Sequence, residues 1–448
     1  MRQRPLARMC HVGGLHRNMS LASPILEPGQ AFDGSASAAG AKRPISSAVP
    51  ITLDKWWEDS TATLLDRDLH PVGSFDTLLW HKAETVILYW ADRGSEGLSM
   101  CLRTLDRLAE EAVVNPMPQC CLHVYVIHAI LGSWKKQFQK YQSKLLPSQI
   151  LEKLEGYLSK APGLFEPNIA TYTMILDGAS YCPDPVERID FSESLLARLL
   201  EESVDSPALR PSEVTIGTVL KAWSKSGSIQ GAHKAEELLR RIIELRKEEQ
   251  WKYLNVNTIH YTTVLNAYAN AGEPEHAQRL LREMFEESLV HGNSEVQPNI
   301  RSFNAVLSAW SKTSAPDAFQ SAEELLVRMG ELYENGALEG PPDTISYNCV
   351  LNTLAKNVNR VPDAVEKAES LVNNLLKRLA SSGSVAFRPT VVTFTALVRI
   401  IAASNLPDKS AKATYWLEKA KELGVTDERF LLDQFQTRIL ESEKAKRQ

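Results

Sequence analysis

The 448-residue sequence contains few cysteines, no long apolar run and no familiar catalytic motif. Its six cysteines include no CxxC pair, so neither a disulfide framework nor a paired zinc site is indicated, and a reduced, intracellular protein is expected. No uncharged apolar stretch reaches the roughly 18 residues of a membrane-spanning helix, which argues against membrane insertion. HExxH, P-loop, GxSxG and GxGxxG motifs are missing. We therefore expect a non-enzymatic protein without a cofactor.

One short segment of the sequence contains several residue types that can bind a metal. Cys120, Cys121 and His123 lie together, but no second pair of ligands follows at zinc spacing. We expect a structural role for these residues and no bound metal.

The first fifty residues differ in composition from the rest of the chain. Four arginines precede the first acidic residue, Glu27, and small residues dominate as far as Pro50. An arginine-rich, acid-poor composition is typical of an organellar transit segment, and the apolar stretch of a secretory signal is missing. We predict a disordered targeting segment over residues 1–50, with the mitochondrion as the destination and the plastid as second choice. A basic tail that carries no address is the alternative.

Beyond residue 80, one sequence pattern recurs. Clear copies are NAVLSAWSK from Asn304, TTVLNAYAN from Thr262 and NCVLNTLAK from Asn348. Eight copies follow one another at spacings of 42–47 residues, a regularity that indicates a repeat architecture. The residues that directly precede the copies are Ala83, Ile127, Tyr172, Ile216, Tyr261, Phe303, Tyr347 and Phe394.

Each repeat is predicted to be a pair of helices. In the unit of Phe303, apolar residues recur at i, i+3, i+4 and i+7 in both halves, the spacing of one helix face. They are Phe303, Val306, Leu307 and Trp310 in the first helix, and Ala322, Leu325, Leu326 and Met329 in the second. Such a hairpin buries its apolar stripe only by stacking on its neighbours. The sequence therefore predicts an all-α protein, a right-handed α-solenoid over residues 77–427.

The ends of the array and four tryptophans complete this prediction. Residues 51–76 are expected to cover the first repeat, and residues 428–448 to form a capping helix with a charged tail. Tryptophans that share one offset within their units are predicted to be buried at equivalent sites; they are Trp90, Trp134, Trp223 and Trp310.

A specific motif opens the first helices. Pro298 begins Pro-Asn-Ile-Arg-Ser-Phe-Asn, and Pro342 begins Pro-Asp-Thr-Ile-Ser-Tyr-Asn, with related copies from Pro167 and Pro389. The motif resembles the start of the pentatricopeptide repeat: proline, a polar residue, two mostly apolar residues, Ser or Thr, an aromatic and a polar residue. The resemblance spans about residues 77–427, although the period near 44 is longer than the family's usual unit. The tetratricopeptide repeat, with a period of about 34 residues, is the rival solenoid.

The resemblance implies that the chain binds single-stranded RNA and reads one base per repeat. In that family, the polar residue after the aromatic acts together with the last residue of the unit. Carried over to this chain, the pairs are Thr173 with Ser212, Thr262 with Asn299, Asn304 with Asp343, Asn348 with Thr390 and Thr395 with Asp427, and more weakly His128 with Asn168 and Gly217 with Asn257. The second members are also ideal helix N-caps, so capping explains these residues about as well.

Charge is distributed unevenly between the two helices of a unit. The first-helix windows from residue 168 to residue 403 carry a net charge of +3, whereas residues 317–334 of a second helix carry −4. A cationic row suits the RNA phosphates, although lysine at the end of a helix also complements the helix dipole. The candidate phosphate-binding residues are Lys221, Lys225, Arg301, Lys312, Lys356 and Arg399.

Two functions follow from these observations. The first is a sequence-selective RNA-binding solenoid that acts on the stability, processing or translation of organellar transcripts. The alternative is a protein-interaction scaffold or a ribosome-associated factor in the same organelle. RNA-processing or ribosomal proteins are the protein partners expected.

Overall fold

The computed structural model describes residues 53–115, 121–140, 144–248 and 251–425. These residues form 17 α-helices and contain no β-strand, which confirms the all-α prediction. The predicted targeting segment and the predicted C-terminal capping helix lie outside the described residues.

The helices follow one another in pairs after a single N-terminal helix, α1 (Leu53–Leu65), which contacts the first pair. The first helices of the pairs are α2 (Thr77–Trp90), α4 (Val124–Gln139), α6 (Ile169–Ala179), α8 (Glu213–Ser224), α10 (Thr258–Ala271), α12 (Ile300–Lys312), α14 (Thr344–Lys356) and α16 (Val391–Ala403). The second helices are α3 (Gly94–Val114), α5 (Pro147–Lys160), α7 (Pro185–Glu202), α9 (Ile229–Leu245), α11 (Pro274–Leu289), α13 (Ala318–Glu334), α15 (Ala364–Ser382) and α17 (Lys409–Glu422).

The pairs stack into two layers. Each first helix packs against the first helices of the neighbouring pairs, so α8, α10, α12, α14 and α16 form a continuous layer. Most second helices instead contact the first helices of their own and the following pair. The first helices therefore pack more closely on one another than the second helices do. The predicted α-solenoid is confirmed, and we call the surface of its first helices the inner face.

Large aromatic side chains fill equivalent positions between the layers. The four tryptophans at the shared offset have exposed fractions of 8% or less: Trp90, Trp134, Trp223 and Trp310. Fully buried alanines begin the apolar stripes of the second helices, and their small size lets the layers approach: Ala235, Ala277, Ala322 and Ala368. The predicted burial of the tryptophans is therefore confirmed, and with it the repeat register.

The long period has two structural causes. The second helices are long, and α15 spans 19 residues. In addition, short 3-10 turns precede α12 and α16 and bury Val296 and Phe387 in the core. The Thr258 hydroxyl donates to the carbonyl oxygens of Glu295 and Gln297 at 3.0 and 2.8 Å, which ties one linker to the preceding first helix. Both a longer second helix and a longer linker therefore contribute.

The segment Val385–Ala403 is long and apolar enough to be considered for a membrane span. Most of it is α16, which packs against α14, α15 and α17. Its Leu397, Ile400 and Ile401 side chains are fully buried. A core position in the solenoid accounts for the apolar character of this segment.

Candidate nucleic-acid interface

Short polar residues begin the first helices from α6 onward. At four of these N-caps, the cap side chain accepts a hydrogen bond from the third backbone N–H of the helix. In turn, the cap backbone N–H donates to the hydroxyl oxygen of the Ser or Thr at that third position; the caps are Asn168, Ser212, Asn299 and Asp343. Asn257 caps α10 with His260 in place of the hydroxyl, and Thr390 precedes α16. Capping is therefore an observed role of these residues, and base reading remains a prediction.

The polar residues that follow the aromatic anchors lie in one row where neighbouring first helices meet. The anchors themselves are buried, as Tyr261, Phe303 and Tyr347 illustrate. The residues in the row are half-buried, and the Oγ1 atom of the last one is itself buried: His128, Thr173, Thr262, Asn304, Asn348 and Thr395. We call them the reading row.

Hydrogen bonds to the next repeat hold most members of the reading row. The partner is in each case the Ser or Thr of the following capping box. The distances are 3.1 Å for His128 with Thr171, 2.8 Å for Thr173 with Thr215, 3.0 Å for Thr262 with Ser302, 2.6 Å for Asn304 with Ser346 and 2.7 Å for Asn348 with Thr393. Sequence reasoning missed these bonds, although the Ser or Thr before each aromatic was visible in the motif.

Two of the five main pairs implied by the resemblance are in direct contact in the structure. The Asn304 side-chain amide donates to Asp343 Oδ1 at 3.1 Å, and the Asn348 amide donates to Thr390 Oγ1 at 3.4 Å. At two other units the contact is indirect: Thr215 bonds both Thr173 and Ser212, and Ser302 bonds both Thr262 and Asn299. Asp427, the partner implied for Thr395, lies outside the described residues.

In the first unit, a buried glutamate occupies the equivalent position. Glu84 accepts hydrogen bonds from the His123 backbone N–H at 3.2 Å and the His123 ring at 3.0 Å. Burial raises the pKa of Glu84, but the hydrogen bonds from His123 and His81 outweigh it and the pKa lies below its usual value. Glu84 thus holds the start of α4. Within the described residues, no three His, Cys, Asp or Glu side chains are grouped to hold a metal ion, and Cys120 lies outside them.

A second polar row runs along the C-terminal ends of the first helices. Lys312 Nζ donates to Asn270 Oδ1 of the preceding unit at 3.0 Å, and Lys356 Nζ donates to the Lys312 carbonyl oxygen at 2.9 Å. Lys225 Nζ lies 3.6 Å from the centroid of the Tyr181 ring. Burial lowers the pKa of Lys225 and Lys312, and a neighbouring lysine lowers each further. Lys225, Lys312 and Lys356, which we call the lysine row, lie eight residues beyond Gly217, Asn304 and Asn348, a spacing found on one broad helix face.

The remaining candidate phosphate-binding residues differ in their surroundings. Lys221 Nζ and Lys135 Nζ each lie 2.9 Å from an oxygen of Asp177. Burial raises the pKa of Asp177, but the hydrogen bonds from Lys221 and Lys135 outweigh it and the pKa falls below its usual value. Part of the Lys221 charge is therefore compensated within the protein. Arg301 is exposed on α12, and Arg399 is half-buried on α16.

Exposed apolar side chains flank the reading row. They lie two residues before the anchors and three before the reading row, a spacing that makes them neighbours of it on the helix surface. Their exposed fractions are 50–69%: Tyr125, Val214, Ile259, Ile345 and Val392. Sequence reasoning did not identify this row, although the apolar positions of the opening motif signalled it. Apolar side chains beside short polar ones can contact the face of a base while its edge is hydrogen-bonded.

Comparisons with known proteins agree with the repeat motif. A family model for the pentatricopeptide repeat domain matches residues 244–313. The chain is 29% identical over 206 residues to a pentatricopeptide repeat-containing protein of Arabidopsis thaliana, a match that covers 46% of this chain and 30% of that protein. A chloroplastic pentatricopeptide repeat-containing protein of the same plant is 25% identical over 49% of this chain and 24% of its own length.

Two further similarities concern a ribosomal protein and a solved structure. The small ribosomal subunit protein mL103 of Arabidopsis thaliana is 26% identical over 37% of this chain and 33% of its own length. The chain thus spans a third or less of the curated relatives it matches. The crystal structure of the pentatricopeptide repeat protein PPR10 from maize is similar with a TM-score of 0.46 and 19% identity, over 89% of this chain and 52% of that one.

Proposed function

The chain is a pentatricopeptide repeat protein, and we propose that its inner face binds single-stranded RNA sequence-selectively and without catalysis. One observation carries the proposal: from α4 onward a polar side chain recurs at the same position of each repeat except that of Gly217, and the next repeat fixes five of these side chains by hydrogen bonds of 2.6–3.1 Å. A side chain that is already oriented loses little entropy when it meets a base edge, which favours selective binding.

The two neighbouring rows supply what an RNA strand needs besides edge contacts. Exposed apolar residues such as Ile259 and Ile345 can pack on base faces. The lysine row lies along the same face and can neutralise phosphates. The second helices, in contrast, pair much of their charge internally, as Glu236 does with Arg240 and Arg279 at 2.6 and 2.8 Å. These features favour the inner face as the binding surface.

A ribosome-associated role is the second candidate, and the similarity to the small ribosomal subunit protein mL103 favours it. Both candidates are compared by gel-shift titration of the full chain with single-stranded RNA, duplex RNA and mixtures containing unlabelled competitor. We expect binding to single strands that survives an excess of unrelated RNA. Binding to every RNA with equal affinity would support the ribosomal role. If the chain bound no RNA, its function would instead be that of a protein-interaction scaffold.

Residues 1–50 are proposed to direct the protein to an organelle, with the mitochondrion ahead of the plastid, where it acts on transcripts. The support is their arginine-rich and acid-poor composition. Fused to a fluorescent reporter, residues 1–50 are expected to place the reporter in mitochondria, as judged by co-localisation with a mitochondrial dye. A matched fusion with all four arginines before Glu27 replaced by glutamine should remain in the cytosol. A cytosolic signal from the unaltered fusion would refute the proposal.

A further inference from the structure

The junction between α8 and α10 differs from the others on the inner face. The reading row is interrupted there by Gly217, which has no side chain. The hydroxyl that the other capping boxes carry is replaced at the same junction by His260. In the neighbouring units, the residues at these two positions hydrogen-bond to each other across the junction between repeats.

The His260 ring takes over the tasks of the missing groups. It is buried, and its Nδ1 accepts a hydrogen bond from the Asn257 backbone N–H at 3.2 Å, which completes the capping box. Its Nε2 donates to the Glu213 carbonyl oxygen at 3.0 Å, which links α10 to α8. One neutral tautomer with its hydrogen on Nε2 satisfies both bonds. No polar ring atom therefore remains to meet a base.

The imidazole also occupies the space beside Gly217. A Cβ built on Gly217 would have His260 Nε2 as its nearest neighbour, at 3.6 Å, and His260 Cδ2 at 3.8 Å. The Asn257 Oδ1 atom is engaged as well, because it accepts from the backbone N–H groups of Ile259 and His260 at 3.0 and 3.3 Å. The polar side chains of Asn257 and His260 are thus both hydrogen-bonded to the backbone.

The exposed apolar residues, in contrast, are present at this junction. Val214 and Ile259 flank this junction, and each has an exposed fraction of 69%. A nucleotide that passes over the junction therefore meets apolar side chains but finds no reading side chain.

We propose, on the premise of the RNA-binding function above, that Gly217 and His260 prevent the repeat unit of α8 from reading a base. The unit then holds one nucleotide without selecting its base. This unread position separates the base read at Thr173 from the tract read at Thr262, Asn304 and Asn348. The recognised sequence consequently contains a one-nucleotide gap that no other described unit from α6 to α14 imposes.

The test transplants a complete reading set from elsewhere in the chain. The triple variant G217N/N257D/H260S copies the set Asn304, Asp343 and Ser346 onto this junction. The matched control N257D/H260S opens the same space but keeps Gly217. Each full-length protein is subjected to selection from a randomised RNA pool, and circular dichroism and thermal unfolding establish that the variants are folded.

The wild-type protein is expected to select a motif with one unselective position directly before the tract of Thr262. The triple variant should acquire at that position the base that the wild type selects at the Asn304 unit, and the control should not. A wild-type preference at that position at least as strong as at its neighbours, or a gap of two or more nucleotides, would overturn the inference. The wild-type motif decides this even if the variants misfold. Absence of selection at the Asn304 tract too would instead refute sequence-selective RNA binding, and the inference with it.

Discussion

Replacing Trp310 with alanine is expected to lower the free energy of unfolding by about 3–5 kcal/mol, the usual cost of removing a large aromatic from a core. The indole is only 3% exposed, and its Nε1 donates to Gln278 Oε1 on α11 at 3.3 Å. Its removal leaves a cavity between the two helix layers and an unpaired Gln278. Urea denaturation followed by circular dichroism measures the change.

The control for this substitution is Tyr415→Ala on α17. Tyr415 is also a large aromatic, but 58% of its surface is exposed, so its loss should change stability by no more than about 0.5 kcal/mol. Because a solenoid is stabilised by contacts between neighbouring repeats, the Trp310 variant should also broaden the unfolding transition. A loss below about 1 kcal/mol would contradict the assigned core position, given the size of the buried ring.

Removing the lysine row is expected to weaken RNA binding by about ten- to a hundredfold at moderate salt, on the view that it neutralises phosphates. The variant is K225A/K312A/K356A. Each neutralised phosphate of a single strand contributes about 0.7 to the slope of log affinity against log salt, so the slope should fall by about 2. Filter binding of single-stranded RNA across a salt series measures both quantities.

The matched control removes three lysines from the second helices: K234A/K367A/K412A. These lysines are ion-paired with Glu193, Glu323 and Glu369, and the net charge changes by the same amount as in the lysine-row variant. Affinity and salt slope should stay close to wild type. Equal losses in both triple variants would mean that net charge, and not a row on the inner face, attracts the RNA.

The fold could be predicted from the sequence because the signals are local and repeated. The spacing of Phe303, Val306 and Leu307 specifies a helix face within two turns, and recurrence at 42–47 residues specifies stacking. The N-caps could be predicted from the sequence equally well, because Asn and Asp, as at Asn299 and Asp343, are favoured N-cap residues in any helix.

The bonds of the interface were less accessible to sequence reasoning because they join residues about one repeat apart. The pairing of Asn304 with Ser346, of Lys221 with Asp177, and of His260 with Glu213 depends on how closely neighbouring first helices pack. The sequence could therefore identify Lys221 as a candidate phosphate-binding residue, but it could not show that Asp177 compensates part of the Lys221 charge.

The most direct test of the central claim, that short polar residues of the inner face read bases, is RNA selection on the wild type and on Asn304→Thr. The threonine can take the arrangement of Thr262, whose hydroxyl lies 3.0 Å from the Ser302 hydroxyl, so the fold should be kept. In the pentatricopeptide repeat family, Thr with Asn reads adenine, Asn with Asp reads uracil, and Asn with Thr favours a pyrimidine. We therefore predict 5′-A-U-pyrimidine-3′ for the wild-type units of Tyr261, Phe303 and Tyr347. In the variant the middle base should shift from uracil toward guanine, with affinity altered by tens-fold at most, since one base contact contributes about 1–3 kcal/mol. An identical motif from both proteins, or no motif from either, would contradict the account.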